Sequence, residues 1–379
     1  MADKPDTRRL WGRKTHQLIP YVPGEQPRDR SFIKLNTNEN PYPPAAAVLQ
    51  VIRAYPADRL RLYPDPGSRQ LRQKLSEYYG IDEAGIFVGN GSDEVLAIVF
   101  QAFFNSRTDL GKSAETEVLS PAECIVFPDI SYSFYPVYAR MYDIPFRTVP
   151  LNADFSLPID ALRAPSAGLV LANPNAPTGM AVGLDVLADL AAADPDRLLV
   201  IDEAYVDFGG ESAINLLAEY DNILVVQTCS KSRALAGLRI GYALGAPELI
   251  EGLERIRDSF NSYTLDSLAQ AAAVAAFGEG EWFERTRSTI IATREKTSEA
   301  LKSLGFQVLP SKANFLFVRH PEHTGAQLYQ DLRQAGILVR HFRQPRIENY
   351  LRITIGTDSD MEQLIVTLRQ ILAQSAPGQ

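Results

Sequence analysis

The chain has 379 residues, 45% hydrophobic and 22% charged, the proportions of a soluble globular protein long enough for two domains. Its net charge of −8 offers no basic excess for nucleic acid, and no apolar run is long enough to cross a membrane. Two cysteines, Cys124 and Cys229, are too few for a disulfide framework and fit a reducing cytosol; the four histidines, His16, His320, His323 and His341, sit in no metal-ligand motif, so no metal is expected.

The N-terminus opens MADKPDTRR, without the apolar core of a signal peptide. Residues 19–44 are rich in proline and carry little helical pattern, so they read as an extended arm laid over another surface. Short apolar runs then alternate with helical patterns. Strands are expected at 86–88, 125–127, 146–149, 169–172, 198–201, 223–227 and 240–244, with helices at 93–104 and 184–193 among them. This alternation predicts an α/β fold with a mostly parallel seven-stranded sheet covered by helices on both faces. The strand order is not encoded in the pattern. The polar stretch 105–122 reads as a surface insertion, and 267–277 (SLAQAAAVAAF) as a buried helix. Further on, strands at 315–318, 337–340 and 351–355, flanked by helices at 325–334 and 361–373, predict a smaller α+β unit. The expected division is an arm at 1–44 that joins the small domain, a large domain at 45–275 and a small one at 276–379.

Four motifs follow predicted strands, and in open parallel sheets ligands bind beyond the carboxyl ends of strands. Gly89-Asn90-Gly91-Ser92-Asp93-Glu94 opens a helix, where glycine admits close backbone approach and free N–H groups favour a phosphate. Taken alone it is more often a capped glycine turn, and it lacks the third glycine of a dinucleotide fingerprint. Asn173-Pro174-Asn175-Ala176-Pro177-Thr178-Gly179 is, on its own, a turn-rich loop. Asp202-Glu203-Ala204-Tyr205 puts an acid at the end of a buried strand, either as a helix cap or as the partner of a buried cation. Ser230-Lys231-Ser232 places a lysine at another strand end, a candidate imine former, though a lone lysine is usually a solvated surface group. Gly237-Leu238-Arg239 follows, with a guanidinium suited to phosphate. Together these are the groups that pyridoxal 5'-phosphate (PLP) requires: an imine lysine, an acid for the ring nitrogen, and a phosphate cradle.

With these blocks the chain resembles the fold-type-I PLP-dependent aminotransferases, and more closely the histidinol-phosphate aminotransferases. The likeness runs through PYVPGEQP (20–27), LNTNENPYPP (35–44), YPDP (63–66), NGSDE (90–94), PDISYSFYPVYA (128–139), NPNAPTG (173–179), DEAY (202–205), SKSRALAGLRIG (230–241) and LRITIG (351–356). It implies that Lys231 forms the imine, that Asp202 faces the pyridine nitrogen, and that Tyr205 reaches the phenolic oxygen. It assigns the phosphate to Gly91, Ser92, Asp93, Ser230 and Arg239, and ring stacking to Tyr132. Tyr63 is expected to reach the cofactor of a second subunit in a homodimer, while Tyr21, Arg340 and Arg352 bind substrate. One position departs from the family: the asparagine usual before Pro-Thr-Gly is Ala176 here. Asn175 is expected to fill its role, with Asn173 or Tyr205 alone as alternatives.

The implied reaction exchanges an amino group between histidinol phosphate and 2-oxoglutarate, giving imidazole-acetol phosphate and glutamate, in the cytoplasm. Three alternatives share this inventory in part: an aromatic or broad-specificity amino-acid aminotransferase, a PLP decarboxylase of a phosphorylated amino acid, and a non-catalytic aminotransferase-like protein. Retention of Lys231, Asp202 and Arg239 together argues against the last.

Overall fold

The apolar runs between residues 86 and 245 form one seven-stranded sheet in the computed structural model of the chain, which describes residues 7–21, 24–26, 31–112 and 119–374. After β1 (Ile33–Lys34) in the arm, the sheet's strands are β2 (Ile86–Gly89), β3 (Ile125–Pro128), β4 (Phe146–Val149), β5 (Gly168–Ala172), β6 (Leu199–Asp202), β7 (Ile223–Thr228) and β8 (Gly241–Gly245). Their spatial order is β2-β8-β7-β6-β5-β3-β4. Only β8 runs against its neighbours, pairing antiparallel with both β2 and β7. The other six strands therefore end on the same edge, and that edge carries all four motifs.

Except at the edge strand β4, the sheet is buried on both faces: successive side chains of a strand point to opposite sides, and each side meets an apolar cluster. Ile86 and Val88 join one apolar cluster, with Leu71 and Ala269; Phe87 joins the other, with Val95 and Ile250. The predicted buried helix is Ser267–Gly278, packed against helices Ala46–Ala54 and Arg69–Tyr79. The helix expected at 93–104 begins two residues earlier, at Gly91, and spans Gly91–Phe103. Glu94 accounts for this, since its carboxylate accepts the Asn90 N–H at 2.6 Å and closes the first turn.

The second unit holds β9 (Gln307–Val308), β10 (Phe315–Arg319), β11 (Ile337–Leu338), β12 (Arg340–His341) and β13 (Leu351–Thr354). The run expected as one strand at 337–340 is two. β11 pairs in parallel with β1 of the arm, whereas β12 pairs antiparallel with β13. A continuous apolar run cannot show this break, because Val339 at the break is as buried as Ile337 and Leu338 before it. Helices Gly280–Ser303, Gly325–Gln334 and Asp358–Gln374 cover the sheet β12-β13-β10-β9.

The arm does lie across another surface. Besides the β1–β11 pairing, Thr354 donates its N–H to Leu35 O at 3.0 Å, and Arg333 grips Glu25 with Nη2 to Oε1 at 2.6 Å. Within the insertion at 105–122, Ser106 and Asp109 cap a turn and Ser120 and Glu123 form a capping box, both exposed; residues 113–118 lie outside the described residues.

Candidate functional site

At the common edge lies a cavity of about 230 Å³. Its walls come from three sources: the strand-end motifs, the arm residues Tyr21, Gly24 and 36–39, and Arg340 and Arg352 of the second unit.

Asp202 ends β6, buried, with Tyr135 Oη donating to its Oδ2 at 3.0 Å and the Ala204 N–H to Oδ1 at 3.2 Å. Burial pushes its carboxyl up to about 6; those two donors and the nearby Lys231 pull it back only in part. Such a carboxylate is suited to a cation that enters with a ligand.

Lys231 opens onto the same cavity. Its Nζ donates to Thr37 O at 3.3 Å and stands 5.9 Å from the centre of the Tyr205 ring. The arm also fixes its backbone, since Asn40 Nδ2 donates to the carbonyls of Lys231 and Ser232 at 3.0 and 3.2 Å. Tyr205 packs edge-on against Phe315, and its hydroxyl accepts a hydrogen bond from Asn38 Nδ2 at 2.9 Å.

A cradle of donors forms the other wall. Gly91 starts its helix at φ +84°, a left-handed conformation, and a Cβ there would lie 2.4 Å from Arg239 Nη2. A Cβ on Gly241 would stand 2.3 Å from Ser92 N. Both glycines are needed for this close approach of backbone and guanidinium. Arg239 bonds Asp93 Oδ2 at 2.8 Å, and Ser230 Oγ accepts from Thr228 Oγ1 at 2.9 Å. Tyr132 donates to Asp93 Oδ1 at 2.5 Å; burial, chiefly, raises its phenol well above its ordinary range. Helix N–H groups, a guanidinium and hydroxyls make this wall an anion site.

At the mouth, register places Arg340 directly opposite Arg352 on β12 and β13. Like charges so paired repel, which suits a shared anion. Arg352 turns inward over Phe315, 5.3 Å from the ring centre, and donates Nη2 to Asn36 O at 3.1 Å. Its Nε is buried without a hydrogen-bond partner among the described residues, and burial lowers its tendency to stay charged. Tyr21 stands beside them, 4.5 Å from the Phe134 ring.

Two expected residues are elsewhere. Asn175 does not line the cavity: Oδ1 accepts from Ser131, and Nδ2 donates to Ile130 O and Thr178 Oγ1, both at 3.0 Å. Asn173 is likewise committed, exchanging hydrogen bonds with the backbone of Val182. The loop consumes both amides to hold its own shape, and Ala176 is the residue that lines the cavity, packed with Ala313, Phe315 and Tyr205. Tyr63 is 82% exposed, outside its own chain's cavity, and stacks on Tyr263 at 4.6 Å. Among the residues that touch the site without an assigned role are Asn38, Thr37, Asn40 and Tyr135. The first three belong to LNTNENPYPP and Tyr135 to PDISYSFYPVYA, so blocks already recognised held them.

Comparison with known proteins agrees with this geometry. A family model described as aminotransferase class I and II matches residues 30–368. The histidinol-phosphate aminotransferase 1 of Bradyrhizobium diazoefficiens is 52% identical over 364 residues, spanning 96% of this chain and 99% of that one. The solved histidinol-phosphate aminotransferase of Sinorhizobium meliloti, in complex with pyridoxal-5'-phosphate, has a TM-score of 0.78 at 24% identity, over 92% of this chain and 93% of that one. The L-threonine-O-3-phosphate decarboxylase of Porphyromonas gingivalis has a TM-score of 0.76, also at 24% identity, over 90% and 99%. The two structural likenesses establish the fold.

Proposed function

This chain belongs to the class I and II aminotransferase family, among its histidinol-phosphate members, and from that premise we propose that it moves the amino group of histidinol phosphate to 2-oxoglutarate, with PLP as cofactor. The observation that carries the reading is the convergence in one cavity of Lys231, Asp202 and an Arg340–Arg352 pair. The identity to curated relatives favours transamination over the decarboxylase and the broad-specificity alternatives.

The cavity fits the cofactor. The cradle of Ser92, Asp93, Ser230 and Arg239 would hold its phosphate, with Gly91 keeping the space; Asp202 would hold its ring nitrogen, Tyr205 its phenolic oxygen, and Tyr132 one face of its ring. When bound, PLP supplies an aldehyde for imine formation and an electron sink for the substrate carbon. Lys231 Nζ is the imine former. Once a substrate amine replaces it, the same nitrogen takes the proton from the amine-bearing carbon. Arg352, Arg340 and Tyr21 hold the substrate anion, which is a phosphate in one half-reaction and a carboxylate in the other. Arginine's planar fork serves both.

The proposed assembly is a homodimer in which Tyr63 reaches the partner subunit's cofactor phosphate. Its support is a run of exposed apolar side chains, Leu60, Leu62, Tyr63, Phe260 and Tyr263. The domain limits 1–44, 45–275 and 276–379 and a cytoplasmic location belong to the same reading, the latter supported by two free cysteines and by no described helix being long and apolar enough to cross a membrane. A donor screen tests the function, with histidinol phosphate against phenylalanine, tyrosine, histidine and threonine phosphate and 2-oxoglutarate as acceptor. Histidinol phosphate should give the highest kcat/KM; preference for phenylalanine or tyrosine would make the chain an aromatic aminotransferase.

A further inference from the structure

Ala176 leaves the cavity without the amide that the family pattern puts there, and neither Asn173 nor Asn175 supplies it. An amide does reach Tyr205 from another direction. Asn38, in the arm, is buried and held at φ +56°. Its backbone N–H donates to Thr354 Oγ1 at 2.9 Å, its carbonyl accepts from Asn314 Nδ2 at 3.0 Å, and its side chain bridges Thr354 and Tyr205.

The proton count in this chain of bonds fixes its direction. A hydroxyl has one proton to give. Thr354 Oγ1 already accepts the Asn38 N–H, and it gives its own proton to Asn38 Oδ1 at 3.0 Å. The other end of the amide is therefore the NH2 group, and Tyr205 Oη accepts from it. Turning the amide over would leave the proton of the buried Thr354 with no acceptor among the described residues, a costly arrangement. With one lone pair of Tyr205 Oη occupied, its proton is left to point into the cavity. Donation to an oxygen also polarises the O–H bond on it, making it a better donor.

We infer that Asn38 is a positioning residue that fixes the Tyr205 hydroxyl as a donor toward the cavity, through an amide oriented by Thr354. It thus offsets, from the arm side, the polar group missing at Ala176. The inference rests on the proposed contact of Tyr205 with the cofactor's phenolic oxygen. A donor on that oxygen draws electron density from it and weakens its hold on the neighbouring imine proton. Losing the donor strengthens that hold.

The test is the pH midpoint of the visible absorbance of the lysine-bound cofactor, measured without substrate. Asn38→Ala should raise the midpoint, in the direction of Tyr205→Phe, by about half a unit to one unit, the value of one neutral hydrogen bond. Thr354→Val, nearly isosteric, should raise it too, while Thr354→Ser should restore the wild-type value. In a Tyr205→Phe background, Asn38→Ala should add nothing. Thermal denaturation of each cofactor-free variant separates folding from tuning, and if Asn38→Ala does not fold, the threonine pair carries the test. An unmoved midpoint in folded Asn38→Ala or Thr354→Val protein overturns the inference, as does an equal shift with and without the Tyr205 hydroxyl. Absence of any visible band in the wild type would instead overturn the cofactor reading itself.

Discussion

Tyr135 donates its hydroxyl to Asp202 Oδ2 at 3.0 Å, and both side chains are buried beneath the carboxyl edge of the sheet. The bond offsets only part of the cost of an ionised Asp202, whose folded value near 6 stands above the ordinary 3.8. Between those two values the folded chain binds more protons than the unfolded one. Stability therefore falls as pH rises through that window and stays reduced above it. Asp202→Asn is expected to stabilise the cofactor-free protein by up to about 3 kcal/mol near pH 8 and to change it little near pH 4. Added PLP should raise the melting temperature of the wild type more than that of the variant. Thermal denaturation with and without PLP at both pH values checks this; equal PLP stabilisation of the two proteins would remove Asp202 as the partner of the ring nitrogen.

Gly91→Ala should weaken the cofactor without unfolding the chain. The new methyl would sit 2.4 Å from Arg239 Nη2, at a φ of +84° that alanine adopts only with strain. Arg239 must swing away, and a charge-assisted bond to phosphate is worth about 1.5–3 kcal/mol. PLP affinity, followed by spectral titration, should drop at least about tenfold. Inorganic phosphate should compete with PLP for the wild type and far more weakly for the variant.

The two cross-strand arginines should be separable. Arg352→Ala should slow both half-reactions, since Arg352 reaches deeper and meets either anion. Arg340→Ala should slow the histidinol-phosphate half more than the glutamate half, because a dianionic phosphate engages more donors than a carboxylate. Each loss should be about tenfold or greater in kcat/KM, measured separately by stopped flow. Equal losses in the two halves for the Arg340 variant would end its role in phosphate selection.

Site sharing between subunits is open to complementation. Tyr63→Phe and Lys231→Ala chains, mixed and reassociated, should form hybrids with one site carrying both lesions and the other neither. Activity should then exceed that of either parent. Hybrids demonstrated by mass spectrometry yet inactive would show that Tyr63 does not act across the dimer.

Elements built from local patterns were legible in the sequence. Six strands of the large sheet could be read from apolar runs such as 86–88 and 223–227, since burial on both faces leaves a continuous apolar signature, whereas the edge strand β4 (FRTV) is only partly buried. Strand order was not, because it is decided by helices crossing between strands far apart in sequence. The split of 337–340 depended on two different partners, the arm and β13, and no single run encodes its partners. Lys231, Asp202 and Arg239 stood out because each follows a strand with a distinctive neighbour. Asn175 misled because adjacency to Ala176 looks like a substitute, whereas the loop turns its amide toward Ile130, Ser131 and Thr178. Asn38 was invisible for the opposite reason: its partner Thr354 is 316 positions away.

That separation sets an order of events during synthesis. Asn36 and Asn38 leave the ribosome 316 residues ahead of their partners Arg352 and Thr354. The large sheet, complete by Gly245, can collapse while the chain is still being made. Asn36 and Asn38 cannot complete their docking until β13 has emerged, so the wall that holds Thr37 against Lys231 and Asn38 against Tyr205 is completed only then. A chain truncated before residue 351 would keep its phosphate cradle and its lysine but have no closed chamber in which to use them.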